Sequence, residues 1–540
     1  MLGSRQGLLL PLSRPPSRMF RRRESLQDRV WRLRGLLFIG ALVLLILSLT
    51  RSAARSSSTA VKAARAPPER QRARAELRDA AAAPGSGSAP GSGGGEDTIY
   101  SIVIDAGSTG SRIHVMQFRR DAAAAPPLQL SDTKFESLKP GLSSYRDDPR
   151  GAAESLKPLL ETAMAAVPQE RRAATALTLK ATAGLRLLPG SKADEILKAV
   201  DAFLQEYPFK IKADGVGIMD GAHEGAYAWL TLNYLLGKLG GGPDATVAAI
   251  DLGGGSVQEA FALPDEEVAA APKGYVIAVS AGGRQFHVYV HSYLGYGLMA
   301  ARAKVIESGA DNATDPASAS GHHPCFAKGT KLKYTYGDKE YPVGEVVEAG
   351  DFRRCAAAAL KALEHDKGCG HPQSACSFSG AWRGKPGGMK RVYYVSSYFF
   401  DRAVEAGIIP DKGAINFGTT PKEFARRAAG VCGKDPAAVA SELSIDAEAA
   451  RFLCLDLSFC HTVLTQGFDL PETSHLTLVK RVEYQGKVVD ASWALGAALD
   501  ELSAAAQPAA AGAGAPAPRR RALWEGSRAR RRGVRRRVRL

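Results

Sequence analysis

The chain carries one short pattern twice. Asp105 to Arg112 reads DAGSTGSR after the apolar run YSIVI, and Asp251 to Gln258 reads DLGGGSVQ after TVAAI. Each copy is a strand, an aspartate at its end, a loop of glycines and hydroxyls, and a return to apolar residues. The copies begin 146 residues apart, a separation that suits one domain for each. Glycine lets a backbone approach a ligand closely and adopt strained dihedrals. Successive N–H groups in such a loop form an anion-binding concavity. Ser108, Thr109, Ser111 and Ser256 add hydroxyl donors. Asp105 and Asp251 read as holders of the waters around a divalent metal, which removes their repulsion toward a phosphate. Neither copy is a G-x4-G-K-[ST] loop or a G-x-G-x-x-G turn opening a helix, which excludes Walker and Rossmann sites. One such loop alone would be an ordinary turn. Two of the same design imply two related lobes clamping one phosphate chain.

The formal charge of +16 over 540 residues invites a nucleic-acid reading. Its distribution argues against one. Residues 1–34 hold nine Arg against Glu24 and Asp28, 51–96 hold eight basic and four acidic groups, and 507–540 hold eleven Arg and one Glu. The rest of the chain carries −5, an acidic body unsuited to gripping a nucleic-acid backbone. No nucleic-acid partner is expected.

Gly35 to Thr50, GLLFIGALVLLILSLT, holds no charge and lies between Arg34 and Arg51. At sixteen residues it sits at the short edge for a span, and the flanking arginines can snorkel to the interfaces. The alternative is the apolar core of a cleaved signal peptide; the long Arg-rich arm and the lack of a nearby small-x-small site count against it. The positive-inside rule leaves 1–34 in the cytosol, so the chain reads as a type II membrane protein with its body luminal or extracellular. A short span favours the thin Golgi bilayer, with the plasma membrane as the alternative. Residues 52–96, ending PGSGSAPGSGGG, read as a flexible stalk, and 506–540 as a disordered basic tail. Seven cysteines, at 325, 355, 369, 376, 432, 454 and 460, suit an oxidising compartment with three bridges and one odd thiol, and their spacing alone leaves the pairing open. They lack the companions of a zinc site. Asn312 opens an N-A-T sequon, meaningful on the luminal side.

Between stalk and tail, strands and helices interleave, which argues for an α/β fold. YSIVID and RIHVMQF read as strands, AAESLKPLLETAMAAV as one helix, TALTLKATAG as a strand entering a loop, and ADEILKAVDAFLQEY as a helix. EGAYAWLTLNYLLGKLG is a longer apolar helix ending at glycine.

DAGSTGSRIHV, KATAGLRLLP, DGAHEGAYAWLTLNYLLG, DLGGGSVQEAF and ASWALGAAL stand in the order of the five conserved regions of the apyrase family, the nucleoside triphosphate diphosphohydrolases. The resemblance covers roughly 98–503 and is nearest to plant-type apyrases in HVYVHSYLGYGLMAAR and LVKRVEYQGKVVDASWALGAAL. It implies two RNase-H-like lobes of the actin-like superfamily with a nucleotide cleft between them, preceded by the N-terminal transmembrane helix. Lobe I is expected over 97–220 plus 485–505, and the disulfide-bearing lobe II over 221–484.

The resemblance puts the general base on Glu224, in DGAHEG near a helix start, with His223 a bystander. A lone glutamate there would otherwise read as a favourable helix-dipole placement. The phosphate-binding set comprises Asp105, Ala106, Gly107, Ser108, Thr109, Gly110, Ser111, Arg112, Ile113, His114 and Val115 on one side. Asp251, Leu252, Gly253, Gly254, Gly255, Ser256, Val257, Gln258, Glu259, Ala260 and Phe261 form the other. Gln258 resembles the water-orienting glutamine, and Thr182 the hydroxyl beside the attacking water. Trp493 falls near the site, with a core tryptophan as the other reading. One aromatic of Tyr398, Phe399 and Phe400 would stack on the base, each being equally readable as core. Bridges Cys325–Cys355, Cys369–Cys376 and Cys432–Cys454 are implied, with Cys460 free. The metal is Ca²⁺ or Mg²⁺, since carboxylate, hydroxyl and phosphate oxygens are hard ligands.

The expected reaction is hydrolysis of nucleoside tri- or diphosphates to the monophosphate. A luminal diphosphatase taking GDP or UDP is the nearest alternative. A kinase or ATP-driven chaperone of the same fold would act inside the cell and lack Glu224 in its DGxxEG frame. A nucleotide sensor without turnover would not need every carboxylate the chemistry uses. Substrate preference and oligomeric state stay open.

Overall fold

The computed structural model describes residues 98–121, 124, 126–281, 284–309, 322–384 and 391–506. The arm 1–34, the span 35–51, the stalk 52–96, Asn312 and the tail from 507 lie outside the described residues. Among the described residues no helix is long and apolar enough to cross a membrane.

β1 (Thr98–Ala106) and β2 (Ser111–Arg120) pair antiparallel, with β3 (Leu128–Leu138) beside β2. The next segment is not one helix. α1 (Pro149–Glu154) stops before α2 (Lys157–Ala166), whose second residue is Pro158. Proline cannot donate the N–H a continuing helix needs but is at home in a first turn. β4 (Ala176–Ala181) runs parallel to β1. The loop expected after it is a single helical turn, α3 (Ala183–Arg186). α4 (Lys192–Leu204) then leads to β5 (Val216–Ile218), parallel to β4. The first sheet thus has the order β3-β2-β1-β4-β5.

α5 (Gly221–Leu235) begins at Asp220, whose carboxylate accepts from the N–H groups of Ala222 and His223. It ends at Gly237, whose φ of +66° only glycine takes readily. α5 is buried on nearly all sides, as a helix apolar all round must be.

The second lobe opens with β6 (Ala248–Leu252) and β7 (Ser256–Ala262), then β8 (Val276–Ala281) and β9 (Arg284–Leu294). α6 (Leu298–Gly309), the hairpin β10 (Leu332–Tyr336) and β11 (Lys339–Val343), and α7 (Phe352–Ala362) follow. β12 (Tyr393–Ser397) runs straight into α8 (Tyr398–Glu405). β13 (Asn416–Thr419), α9 (Pro421–Val431), α10 (Pro436–Leu443), α11 (Ala447–Thr462) and β14 (Leu476–Val479) complete it. The hairpin β15 (Arg481–Tyr484) and β16 (Lys487–Asp490) leads to α12 (Trp493–Ala506). The second sheet reads β13-β14-β12-β6-β7-β9-β8. Its segment β9-β7-β6-β12-β14 repeats the order and the strand directions of the first sheet. The fold thus contains two mixed sheets built on one plan.

Each sheet has its own core. Ile102, Ile104 and Leu179 pack with α1, α2 and α4, while Ile250, Leu252 and Val395 pack with α6, α8 and α11. A third core joins Val103, Met116, Ala249 and Ala260 to Trp229 of α5 and Trp493 of α12. Both sheets therefore turn one face toward α5. Disulfides Cys325–Cys355, Cys369–Cys376 and Cys432–Cys454 brace the second lobe, and Cys460 is a buried free thiol.

Candidate functional site

Strand alternation aims the site. Successive strand side chains point to opposite faces. Val103 and Ala249 face the α5 core, so Asp105 and Asp251, two residues on, share that face. Arg112 lies opposite Asp105 across β1–β2, and Gln258 opposite Asp251 across β6–β7.

The two loops are alike in detail. Gly107 N–H donates to Gly110 O at 3.0 Å, and Gly253 N–H donates to Ser256 O at 3.0 Å. They also meet: a methyl on Gly254 would collide with Ser108 Oγ and lie 3.3 Å from Thr109 Cγ2. The turn after β4 closes over the same point, since a Cβ on Gly184 would lie 2.7 Å from Ser108 Cα. Gly107, Gly110, Gly253, Gly254 and Gly255 are not in the left-handed region. The strained dihedrals expected of them are absent, and Gly184 and Gly254 serve close approach instead.

Glu224 lies on the first turns of α5 and is 8% exposed. Gly221 and Gly225, one helical turn apart, let this end of α5 sit on the second sheet. A Cβ at 225 would lie 3.2 Å from Gln258 Cβ, and one at 221 would run into Ser292. Burial pushes the Glu224 carboxyl up to about 8; the Arg186 guanidinium opposes this, and Asp251 and Asp105 add to it. Arg186 donates directly to Glu224 Oε2.

Asp105 is raised by burial and by Asp251, and held down by Arg112, whose Nη1 lies 3.3 Å from its Oδ2. Its Oδ1 has no partner. Asp251 is raised by burial and held down by Ser397, Ser396 and Arg112; Ser396 Oγ donates to its Oδ1 at 3.1 Å. Ser397 sits at φ +60°, a strained value for a non-glycine residue and a mark of functional sites. Ser111 Oγ, His114 Nε2 and Gln258 Oε1 are likewise buried without partners. The open Asp105 Oδ1 and the open Gln258 Oε1, which lies across the strand pair from Asp251, fit a site built for a polar ligand and its waters. Among the described residues no three His, Cys, Asp or Glu side chains gather as a metal cage. Two hard carboxylates suit a Mg²⁺-like ion that keeps its waters and takes phosphate oxygens.

Other expected residues separate. Thr182 is buried where the turn after β4 begins, its N–H donating to Ala106 O at 3.2 Å. His114 is held neutral, its pKa lowered to about 3 by burial and by Arg112. Trp493 is a core residue and also neighbours Asp105. Ala106, Ile113 and Val115 fill the first lobe's core, and Leu252, Val257 and Phe261 the second's. Ala260 packs toward α5. Glu259 is fully buried on the face of β7 away from Gln258, paired with Arg383 at 2.7 and 2.8 Å. Alternation turns all of these except Ala260 to the face away from Asp105, Asp251 and Gln258; Ala260 shares the face of Gln258 and is taken up by the core around α5. His223 pairs with Asp220 at the helix start. Phe399 and Phe400 are buried in the second core, and Tyr398 alone of the three keeps a partly open ring. Arg186, Ser292, Ser396 and Ser397 were not anticipated. The only signal for Arg186 was its place in KATAGLR; the serines are brought in by sheet register.

Residues 94–511 match the GDA1/CD39 (nucleoside phosphatase) family. The chain is similar to probable apyrase 2 of Oryza sativa subsp. japonica, 39% identical over 416 residues, 75% of this chain and 86% of that one. It is 38% identical to apyrase 1 of Arabidopsis thaliana over 413 residues, 75% and 85% of the two chains. It is 37% identical to a guanosine-diphosphatase of Schizosaccharomyces pombe over 430 residues, 75% and 74%. Its fold is similar to a crystal structure of nucleoside triphosphate hydrolases from Neospora caninum, with a TM-score of 0.53 at 15% identity, covering 75% of this chain and 92% of that one.

Proposed function

The chain belongs to the GDA1/CD39 nucleoside phosphatase family, enzymes that hydrolyse nucleotide phosphoanhydrides, and from this premise we propose that Glu224 is its general base and a divalent cation its cofactor. The reading rests on one observation. A buried glutamate feels the charge of one aspartate from each sheet, and the two glycine-rich loops that follow those aspartates touch.

A water bound near Glu224 attacks the terminal phosphorus in line. Glu224 takes one of its protons as the new P–O bond forms. The bond from that phosphorus to the bridging oxygen breaks, and the bridging oxygen leaves with the shortened nucleotide. The products are orthophosphate and a nucleotide one phosphate shorter; a second round on the diphosphate leaves the monophosphate. Gln258 Oε1, buried and free to accept, orients the water. The N–H groups and hydroxyls of 107–111 hold the terminal phosphate from one side, and those of 253–256 from the other. Arg112 adds positive charge. Asp105 and Asp251 would hold Ca²⁺ or Mg²⁺ through water, and the ion would supply further charge stabilisation when bound. Tyr398 is the aromatic left to stack on the base.

We place the body on the luminal or outer side of a membrane, anchored through Gly35 to Thr50, with the Golgi favoured. Three disulfides support an oxidising compartment.

The test is phosphate release from ATP, ADP, GDP and UDP, with and without divalent metal, by the protein and by Glu224→Gln. The parent releases phosphate only with metal, and the variant loses at least about 10²-fold in kcat. A variant as fast as the parent removes Glu224 from this role.

A further inference from the structure

Gln258 on β7 faces Ser292 on β9 in antiparallel register. Its Nε2 donates to Ser256 Oγ at 2.7 Å and to Ser292 Oγ at 3.0 Å. A primary amide has two N–H donors and one carbonyl oxygen. Both donors are taken by serine oxygens, and Gln258, 1% exposed, leaves its Oε1 buried without a partner. A buried carbonyl acceptor left open is expensive unless a ligand or water completes it. The same corner carries the base. Gly225, next to Glu224, packs on Gln258, and Gly221 packs on Ser292, so the end of α5 that carries Glu224 lies against this strand pair.

We propose that Ser292 is a positioning residue: by accepting one amide N–H of Gln258 it fixes which end of the amide faces the attacking water. An amide can present either end by rotating half a turn. Turned the wrong way, it offers a donor where the water needs an acceptor and ties up a lone pair that the water needs for attack on phosphorus. With two serine hydroxyls accepting on one side, that rotation breaks both hydrogen bonds unless both hydroxyls turn from acceptor to donor at the same time. Ser256 lies in the phosphate loop and serves the substrate as well; Ser292 lies on the neighbouring strand, outside both loops, and has the amide as its partner. The inference rests on the proposed role of Gln258 in orienting the water.

The experiment measures kcat, KM and melting temperature for the protein and for Ser292→Ala, Ser292→Cys, Gln258→Ala and the double variant Gln258→Ala/Ser292→Ala. Cysteine keeps the volume and accepts only weakly. Losing one hydrogen bond corresponds to about fivefold. The expected result is a fall of that size in kcat for both Ser292 variants, with KM within about twofold. The double variant should be no slower than Gln258→Ala, because Ser292 acts through the amide. Unchanged kcat in folded Ser292 variants, or losses that multiply in the double variant, overturns the inference and leaves the Gln258 assignment standing. Parental kcat in Gln258→Ala overturns both.

Discussion

Asp105 and Asp251 hold the same position in two copies of one strand pair, but the residues facing them differ: Arg112 stands opposite Asp105, and Gln258 opposite Asp251. The backbone plan is duplicated and the chemistry is not. The arginine makes the first lobe the more positive wall, suited to the phosphate's charge. In the proposed reaction the neutral amide of the second lobe would handle the water, and the two sides would differ as an in-line attack requires.

Asp105→Asn and Asp251→Asn each remove one negative charge from the proposed metal site while keeping the shape. Each is expected to lower activity or metal affinity by about 10–100-fold. Rates measured across a Mg²⁺ or Ca²⁺ titration check this: excess metal should recover part of the loss. A loss that no metal concentration changes would mean the carboxylates serve another purpose.

The duplicated loop was legible in the sequence because it is local, with apolar strand, aspartate and glycines all within a dozen residues. Two related lobes followed from it, and the strand order did not. What was not legible came from register and alternation. Ser292 and Ser396 reach the site only because β9 lies beside β7 and β12 beside β6. Nothing in HVYVHSYL separates Ser292 from any other strand serine. Glu259 shows the opposite error: it continues the motif in sequence but points to the other face and pairs with Arg383. Pro158 could have divided the helix of 152–167 at sight, since its ring suits a first turn and not an interior.

Gly184→Ala tests the close approach of the turn after β4 to the first loop. The added methyl would lie 2.7 Å from Ser108 Cα, which is backbone and cannot rotate away. Overpacking of this kind is expected to destabilise by about 1–3 kcal/mol. Because the atom displaced lies in the phosphate loop, KM should rise as well. Denaturant unfolding and steady-state kinetics together check it; a variant with parental values in both would show that the turn has room to move.

Asp456 on α11 binds the guanidinium groups of Arg302 and Arg402 and is fully buried. Removing it leaves two arginines without their shared partner. Asp456→Ala is expected to lose about 3–5 kcal/mol. A triple replacement by apolar residues of similar volume should lose much less, because the penalty belongs to the unpaired charges. Chemical denaturation of both variants distinguishes lost packing from lost pairing.

The pH dependence follows from the Glu224–Arg186 pair. Burial raises the Glu224 carboxyl from 4.5 to about 8, with Arg186 pulling the other way. A base must be deprotonated to act, so kcat/KM, which reports the free enzyme, should climb with pH and level off above about 8. Arg186→Met removes the opposing charge, and its acid limb should move to higher pH. At a fixed pH below the limb, the rate falls about tenfold for each unit of that movement. Stability runs the other way. The folded protein binds the Glu224 proton more tightly than the unfolded chain, so this stabilising contribution is full below pH 4.5 and is lost as pH rises to about 8. Glu224→Gln carries no such proton, and its melting temperature should gain on the parent's across that window. Parallel pH–rate and pH–melting curves for the parent and the two variants check both signs. An acid limb that Arg186→Met leaves in place would mean that another group sets it.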